Sequence, residues 1–143
     1  MKTARQLLQE KHRQGVFAVR PEATVYQALQ LMAEKDIGAV LVMDGDKLLG
    51  IFSERDYARK VVLQGKTSAG TPITEIMTRR VVFAKPSQTV DECMAIMSEK
   101  RFRHLPVMDG NTVLGVLSIT DLVRETIAEQ QFLIAQLENY IMH

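Results

Sequence analysis

With 143 residues, 46% of them hydrophobic, the chain can bury roughly two-thirds of the surface its unfolded form exposes, so it needs no metal or disulfide to hold a core. Its single cysteine, Cys93, excludes an internal disulfide, and 18 Lys and Arg against 17 Asp and Glu exclude the global basic field that drives non-specific nucleic-acid binding. The longest apolar run, AVLVM at 39–43, is too short to span a bilayer and the start MKTARQLLQEKHRQG is too charged for a secretory signal, so a soluble cytoplasmic protein with neither nucleic-acid nor membrane partners is expected.

In chain order, TARQLLQEK reads as a first helix. The apolar VFAV at 16–19 predicts a strand, stopped by Pro21, which cannot continue a ladder, and Thr24 then stands as a helix N-cap. Val25, Ala28, Leu29 and Met32 recur at helical spacing, which predicts a helix with one core face. AVLVM, the turn DGDK and LLGIF predict a hairpin, and Ser53 opens a closing helix. LQGKTSAGTP at 63–72 has the Gly, Ser, Thr and Pro content of a linker, and ITEIM after it reads as a short helical turn. The same order then returns: VVFA at 81–84, Pro86, Thr89, a helix carrying Val90, Cys93, Met94 and Met97, the strand LPVM, the turn DGNT, VLGVL and Ser118. Cys93 lies on the apolar face opposite the repeat's Ala28, as a small core residue does. The last helix runs on through ETIAEQQFLIAQLENYIMH, where Val123, Ile127, Ile134, Leu137 and Ile141 form one apolar stripe. That stripe predicts a contact between two subunits.

The return is a true repeat. GIFSERDYAR at 50–59 comes back as GVLSITDLVR at 115–124, and a shift of 65 residues aligns Val19 to Arg59 with Ala84 to Arg124 without a gap. Matched Val and Met would follow from hydrophobic periodicity alone. Matched Pro21 and Pro86, Thr24 and Thr89, Asp44 and Asp109, Gly50 and Gly115, and Asp56 and Asp121 would not. The expected fold is α/β, two pseudo-twofold β-α-β-β-α units packed sheet to sheet, because a unit of about 60 residues is marginal alone. The boundaries expected are 1–64 for the first helix and unit 1, 65–72 for the linker, 73–127 for unit 2 and 128–143 for the helical extension. Such a pair leaves two related clefts between its halves.

The repeated Ser and Asp admit two interpretations. Ser followed three residues later by an acid resembles a capping box, although that motif prefers the longer Glu or Gln. Alternatively, an ionised Asp at a helix start beside a cleft accepts both hydroxyls of a ribose, while the helix-end amides attract phosphate. Adenine then needs an apolar slot, which VFAV and VVFA can supply from the facing unit. Unit 2 offers Arg101, Arg103 and His104 before its buried strand, where unit 1 has Gly38 and Ala39, so the clefts are not equivalent. The three histidines, His12, His104 and His143, have no ligand-spaced partners, and neither a nucleophile motif nor a Gly-rich dinucleotide fingerprint is present; no enzyme is expected.

The doubled T-V-x-x-A/C-x-x-x-M helix, the PVMDG strand and turn, and G-h-h-S-x-x-D-h, in which h is apolar, resemble a CBS-domain pair, the Bateman module, over roughly residues 8–127. The resemblance implies a stand-alone, non-catalytic regulatory protein that binds adenine nucleotides and acts through an unidentified partner, commonly as a disc-like homodimer. AMP is the first expected ligand, with ATP, ADP or NAD as alternatives and no metal required. Carried across by motif, Asp121 would hold the ribose, Ser118 and Thr120 would lie near the phosphate, Arg103 and His104 would face the phosphates, and adenine would lie against Val16, Phe17 and Ala18. A second site would use Asp56 for ribose, Ser53 and Arg55 near the phosphate, and Thr78, Val81 and Val82 around the base, with Gly38 at the place Arg103 takes in the other copy. The alternative is a structural or partner-binding CBS module with vestigial sites.

Overall fold

The computed structural model describes residues 1–11 and 15–142. His12 and His143 lie outside that range. Helix α1 (Ala4–Glu10) comes first. The first repeat then runs β1 (Ala18–Val19), α2 (Val25–Lys35), β2 (Ala39–Asp44), β3 (Lys47–Ser53) and α3 (Glu54–Tyr57), which passes into a π-helical turn over Ala58–Val62. After α4 (Ile73–Ile76), the second repeat runs α5 (Val90–Lys100), β4 (His104–Asp109), β5 (Thr112–Ser118) and α6 (Ile119–Met142).

The predicted caps form. Thr24 accepts from the amide of Gln27, and Thr89 from that of Glu92, each at 3.2 Å, which satisfies one amide that the first turn leaves unpaired. The two helices bury matching residues: Val25, Ala28 and Met32 on α2, Val90, Cys93 and Met97 on α5. Burial pushes the Cys93 thiol up to about 11, with Glu92 adding to it, so this side chain stays protonated and serves as a core atom group.

β2 pairs antiparallel with β3, and β4 with β5, each with a bulge at the matching place after Val42 and Val107. The flanking strands are shorter than VFAV and VVFA predict. β1 keeps only Ala18 and Val19, parallel to β2, and in the second unit a single bridge joins Ala84 to Val107. In the second unit the cause is a crossing. Thr78 is bonded on both sides to Ile51 of the first unit, at 2.8 and 3.0 Å, and by Ala84 the chain is already pairing in the second. A segment held at each end by a different sheet has no length left for a ladder.

Two cores result. One gathers α2, β2 and β3, with Phe52 and Val42 fully buried, and the other α5, β4 and β5, with Leu117 and Val107 in the matching places. Their membership does not follow chain order. Ala4 and Leu7 of α1 belong to the second core, and Ile73 and Ile76 of α4 to the first. Backbone bonds fix both exchanges: the amide of Ala4 donates to Gln88 at 2.8 Å, and that of Ile73 to Ala23 at 2.9 Å. Each unit is completed by the short helix that precedes the other.

Candidate functional site

Two clefts lie between the units. Cleft 1, about 760 Å³, is lined by the start of α6, by α1, and by residues 36–39 ahead of β2. Cleft 2, about 1190 Å³, is lined by the start of α3, by Thr78 and residues 80–82, and by the end of α5 with the entry to β4. Gly38 and His104 line both. A Cβ on Gly38 would sit 3.1 Å from two atoms of the His104 ring, so the missing side chain on one unit makes room for the imidazole of the other. That contact separates the clefts.

Ser53 and Ser118 sit at the junctions where β3 and β5 turn into helices, and each is followed by its aspartate. Asp56 Oδ2 accepts the Ser53 amide at 3.0 Å, and the Ser53 hydroxyl accepts the Asp56 amide at 3.3 Å. Asp121 Oδ2 accepts the Ser118 amide at 2.7 Å, with the reciprocal bond at 3.1 Å. The shorter acid therefore completes the box, and its length is no argument against capping. Capping leaves the other oxygen of Asp56 for the cleft: Oδ1 accepts from Thr78 Oγ1 at 3.3 Å and meets Lys60 Nζ at 3.0 Å. In cleft 1 the corresponding ammonium comes from Lys11, 3.0 Å from Asp121 Oδ2 and 2.8 Å from the Val116 carbonyl oxygen.

Of the residues expected around Asp121, the structure gathers Phe17, His104, Ser118 and Thr120 into cleft 1, and Gly38, expected with Asp56, lines both clefts. Val16 and Ala18 line neither cleft. Ala18 is committed to pairing with Leu41 in the sheet, and Val16 stands exposed beside it. Arg103 lines cleft 2 and not cleft 1, while His104, the next residue, lines both. Ser53, Arg55, Asp56, Thr78, Val81 and Val82 all line cleft 2.

Three sets of residues escaped the sequence reading. Arg59 and Arg124, identical in the two copies of the motif, line clefts 2 and 1 respectively; their recurrence six residues after the two serines was a usable signal. Lys11 reaches cleft 1 only because α1 is exchanged, which no local pattern announces. Lys60 reaches Asp56 from the π-helical turn and also bonds the Ile76 carbonyl oxygen at 3.1 Å.

His104 sits in an environment that disfavours its charged form. Burial first, then Lys11, pulls the His104 imidazole below its ordinary 6.5; Asp121 opposes the shift and Arg103 adds to it. The ring is therefore neutral at neutral pH, offering one donor and one acceptor.

Comparison with known proteins agrees with this architecture. A model of the CBS domain matches residues 5–63 and 73–127. The mitochondrial CBS domain-containing protein CBSX3 of Arabidopsis thaliana is 35% identical over 123 residues, which make up 82% of this chain and 60% of that one; the chain thus spans under two-thirds of that relative. A solved structure from Burkholderia ambifaria, described as a signal-transduction protein with CBS domains, is 52% identical, with a TM-score of 0.86 and coverage of 90% and 96% of the two chains. A CBS domain pair crystallised with 5′-methylthioadenosine and S-adenosyl-L-methionine, at 24% identity and a TM-score of 0.80 over 90% of this chain and 98% of that one, shares the fold. Two matching halves, exchanged helices and paired clefts together place the chain in the CBS-domain family, as a tandem CBS pair.

Proposed function

We propose that the protein is a non-catalytic regulatory module that binds adenosine ligands in its two clefts and passes their occupancy to a partner protein. AMP is the first ligand proposed, with ATP, ADP or NAD as alternatives. The observation that carries this reading is the placement of Asp56 and Asp121: each stands at a helix start, in the wall of a cleft whose opposite side comes from the other unit. A carboxylate so held can accept a ribose diol, and the helix-start amides favour a phosphate beside it. A ligand bridging the units favours whichever arrangement of the units binds it better, and a regulated partner senses that shift. The cytoplasm is the proposed compartment, where the lone thiol of Cys93 stays reduced.

The competing reading, a partner-binding module with vestigial clefts, has one observation in its favour. Both carboxylates already have partners, a serine amide and a lysine each.

Calorimetry separates the two. Asp56→Asn and Asp121→Asn keep an acceptor oxygen for the cap and remove the charge, so the fold should persist. Loss of charge-assisted hydrogen bonds of about 1.5–3 kcal/mol should weaken AMP binding about tenfold to a hundredfold at the altered cleft. Unchanged affinity in both variants removes the ribose role, and no retention of any adenine nucleotide at millimolar concentration favours the vestigial reading.

A further inference from the structure

Cleft 2 carries a concentration of positive charge that its geometry does not require. The first unit lines it with Arg55, Arg59 and Lys60. The second adds Arg80, Lys100, Arg101 and Arg103, against only Glu54 and Asp56 as acids among the described residues. The duplication supplies the control, because both units build the same wall from matched positions. Thr120 stands where the first unit has Arg55, Glu125 where it has Lys60, Asp36 where the second has Arg101, and Gly38 where it has Arg103. None of these exchanges serves the shared core.

The backbone that carries Arg101 and Arg103 is fixed, and the Arg55 side chain is bonded to it. Arg101 closes α5 in a left-handed backbone conformation, φ 59°, with its amide bonded to the Met97 carbonyl oxygen. Its own carbonyl oxygen accepts Nη1 of Arg55 from the other unit at 3.0 Å. The Arg103 carbonyl oxygen in turn accepts the Ile119 amide at 2.8 Å. Gathering like charges into one concave wall raises the energy of the free protein through their repulsion, and a polyanion relieves it. A single phosphate meets only a few of these groups; a chain of phosphates extending from a ribose on Asp56 meets several.

Resting on the reading that Asp56 holds an adenosine ribose, we propose that cleft 2 is a polyphosphate subsite, which takes an adenosine di- or triphosphate in preference to the monophosphate. The test uses the full chain carrying Asp121→Asn, so that cleft 2 dominates, and the same chain with Arg101→Asn and Arg103→Gln added. Asn suits the left-handed backbone at 101. Calorimetry in magnesium-free buffer, with ATP, AMP and inorganic tripolyphosphate as probes, should give ATP at least a tenfold advantage over AMP. The added substitutions should remove most of that advantage while changing AMP affinity less than about threefold. Tripolyphosphate should compete with ATP and raise the melting temperature of the Asp121→Asn chain but not of the triple variant. Equal affinities for ATP and AMP, or equal weakening of both, overturn the subsite while leaving the adenosine reading intact. Binding of tripolyphosphate without binding of any adenosine ligand keeps the cationic subsite and overturns the adenosine reading. Melting temperatures of the ligand-free variants within a few degrees of each other exclude misfolding as the cause.

Discussion

Gly50 and Gly115 occupy the same place in the two repeats, yet substitution should not cost the same. A Cβ on Gly50 would lie 2.8 Å from the Thr78 carbonyl oxygen and 2.8 Å from the Met77 sulfur, whereas one on Gly115 would meet the tip of Leu8 at 2.9 Å. The Thr78 carbonyl is pinned by the Ile51 amide at 3.0 Å, and a leucine tip can rotate away. Gly50→Ala should destabilise by about 1–3 kcal/mol and Gly115→Ala by less than about 1 kcal/mol, read as urea midpoints at constant m-value. His104 gives a second expectation at this scale. Its folded pKa is lowered, by burial first and by Lys11 next, against Asp121, so the unfolded chain binds a proton that the folded chain refuses. Stability is then full above about pH 6.5 and falls as pH drops towards the lowered folded value. Replacing His104 with Gln should flatten the stability profile between about pH 7 and about pH 5; two parallel profiles would show that this imidazole does not titrate with unfolding.

Among the elements, α1 and α4 teach the most. Ala4, Leu7 and Leu8 have the same spacing as Ile73, Ile76 and Met77, at a shift of 69 residues, and the contacts agree: Leu8 covers Gly115 as Met77 covers Gly50. The self-comparison at 65 missed this pair because the connections after the two helices differ in length. Hairpins, caps and the α2 and α5 core faces were legible because they follow from local spacing and turn chemistry. The second closing helix was legible along its length, as α6 over Ile119–Met142, and the first only at its start. In the first unit α3 yields to a π-helical turn that buries Val61 and carries Lys60 to Asp56, a register that no helical pattern specifies.

For the whole molecule, α6 is the helix least covered by the rest of the chain. Leu122 is its only buried residue, and Phe132, Leu133, Ile134, Leu137 and Ile141 are exposed. An apolar stripe of this length left in water favours association with a second copy, whose net charge of +1 offers little opposition. The full chain should sediment as a dimer at micromolar concentration. A chain ending at residue 127 should sediment as a folded monomer, because neither core draws on anything beyond Leu122. A monomeric full chain would assign the stripe to some other partner.

Duplication, element order, caps and the Ser and Asp at the two helix starts were determined by the sequence alone, since each rests on local spacing or on its return 65 residues later. Which unit each short helix completes, which cleft receives Arg103, and where Lys11 lands were decided by the tertiary structure. These depend on chain crossings between units and on how the two units pack against each other, and neither is encoded in local periodicity.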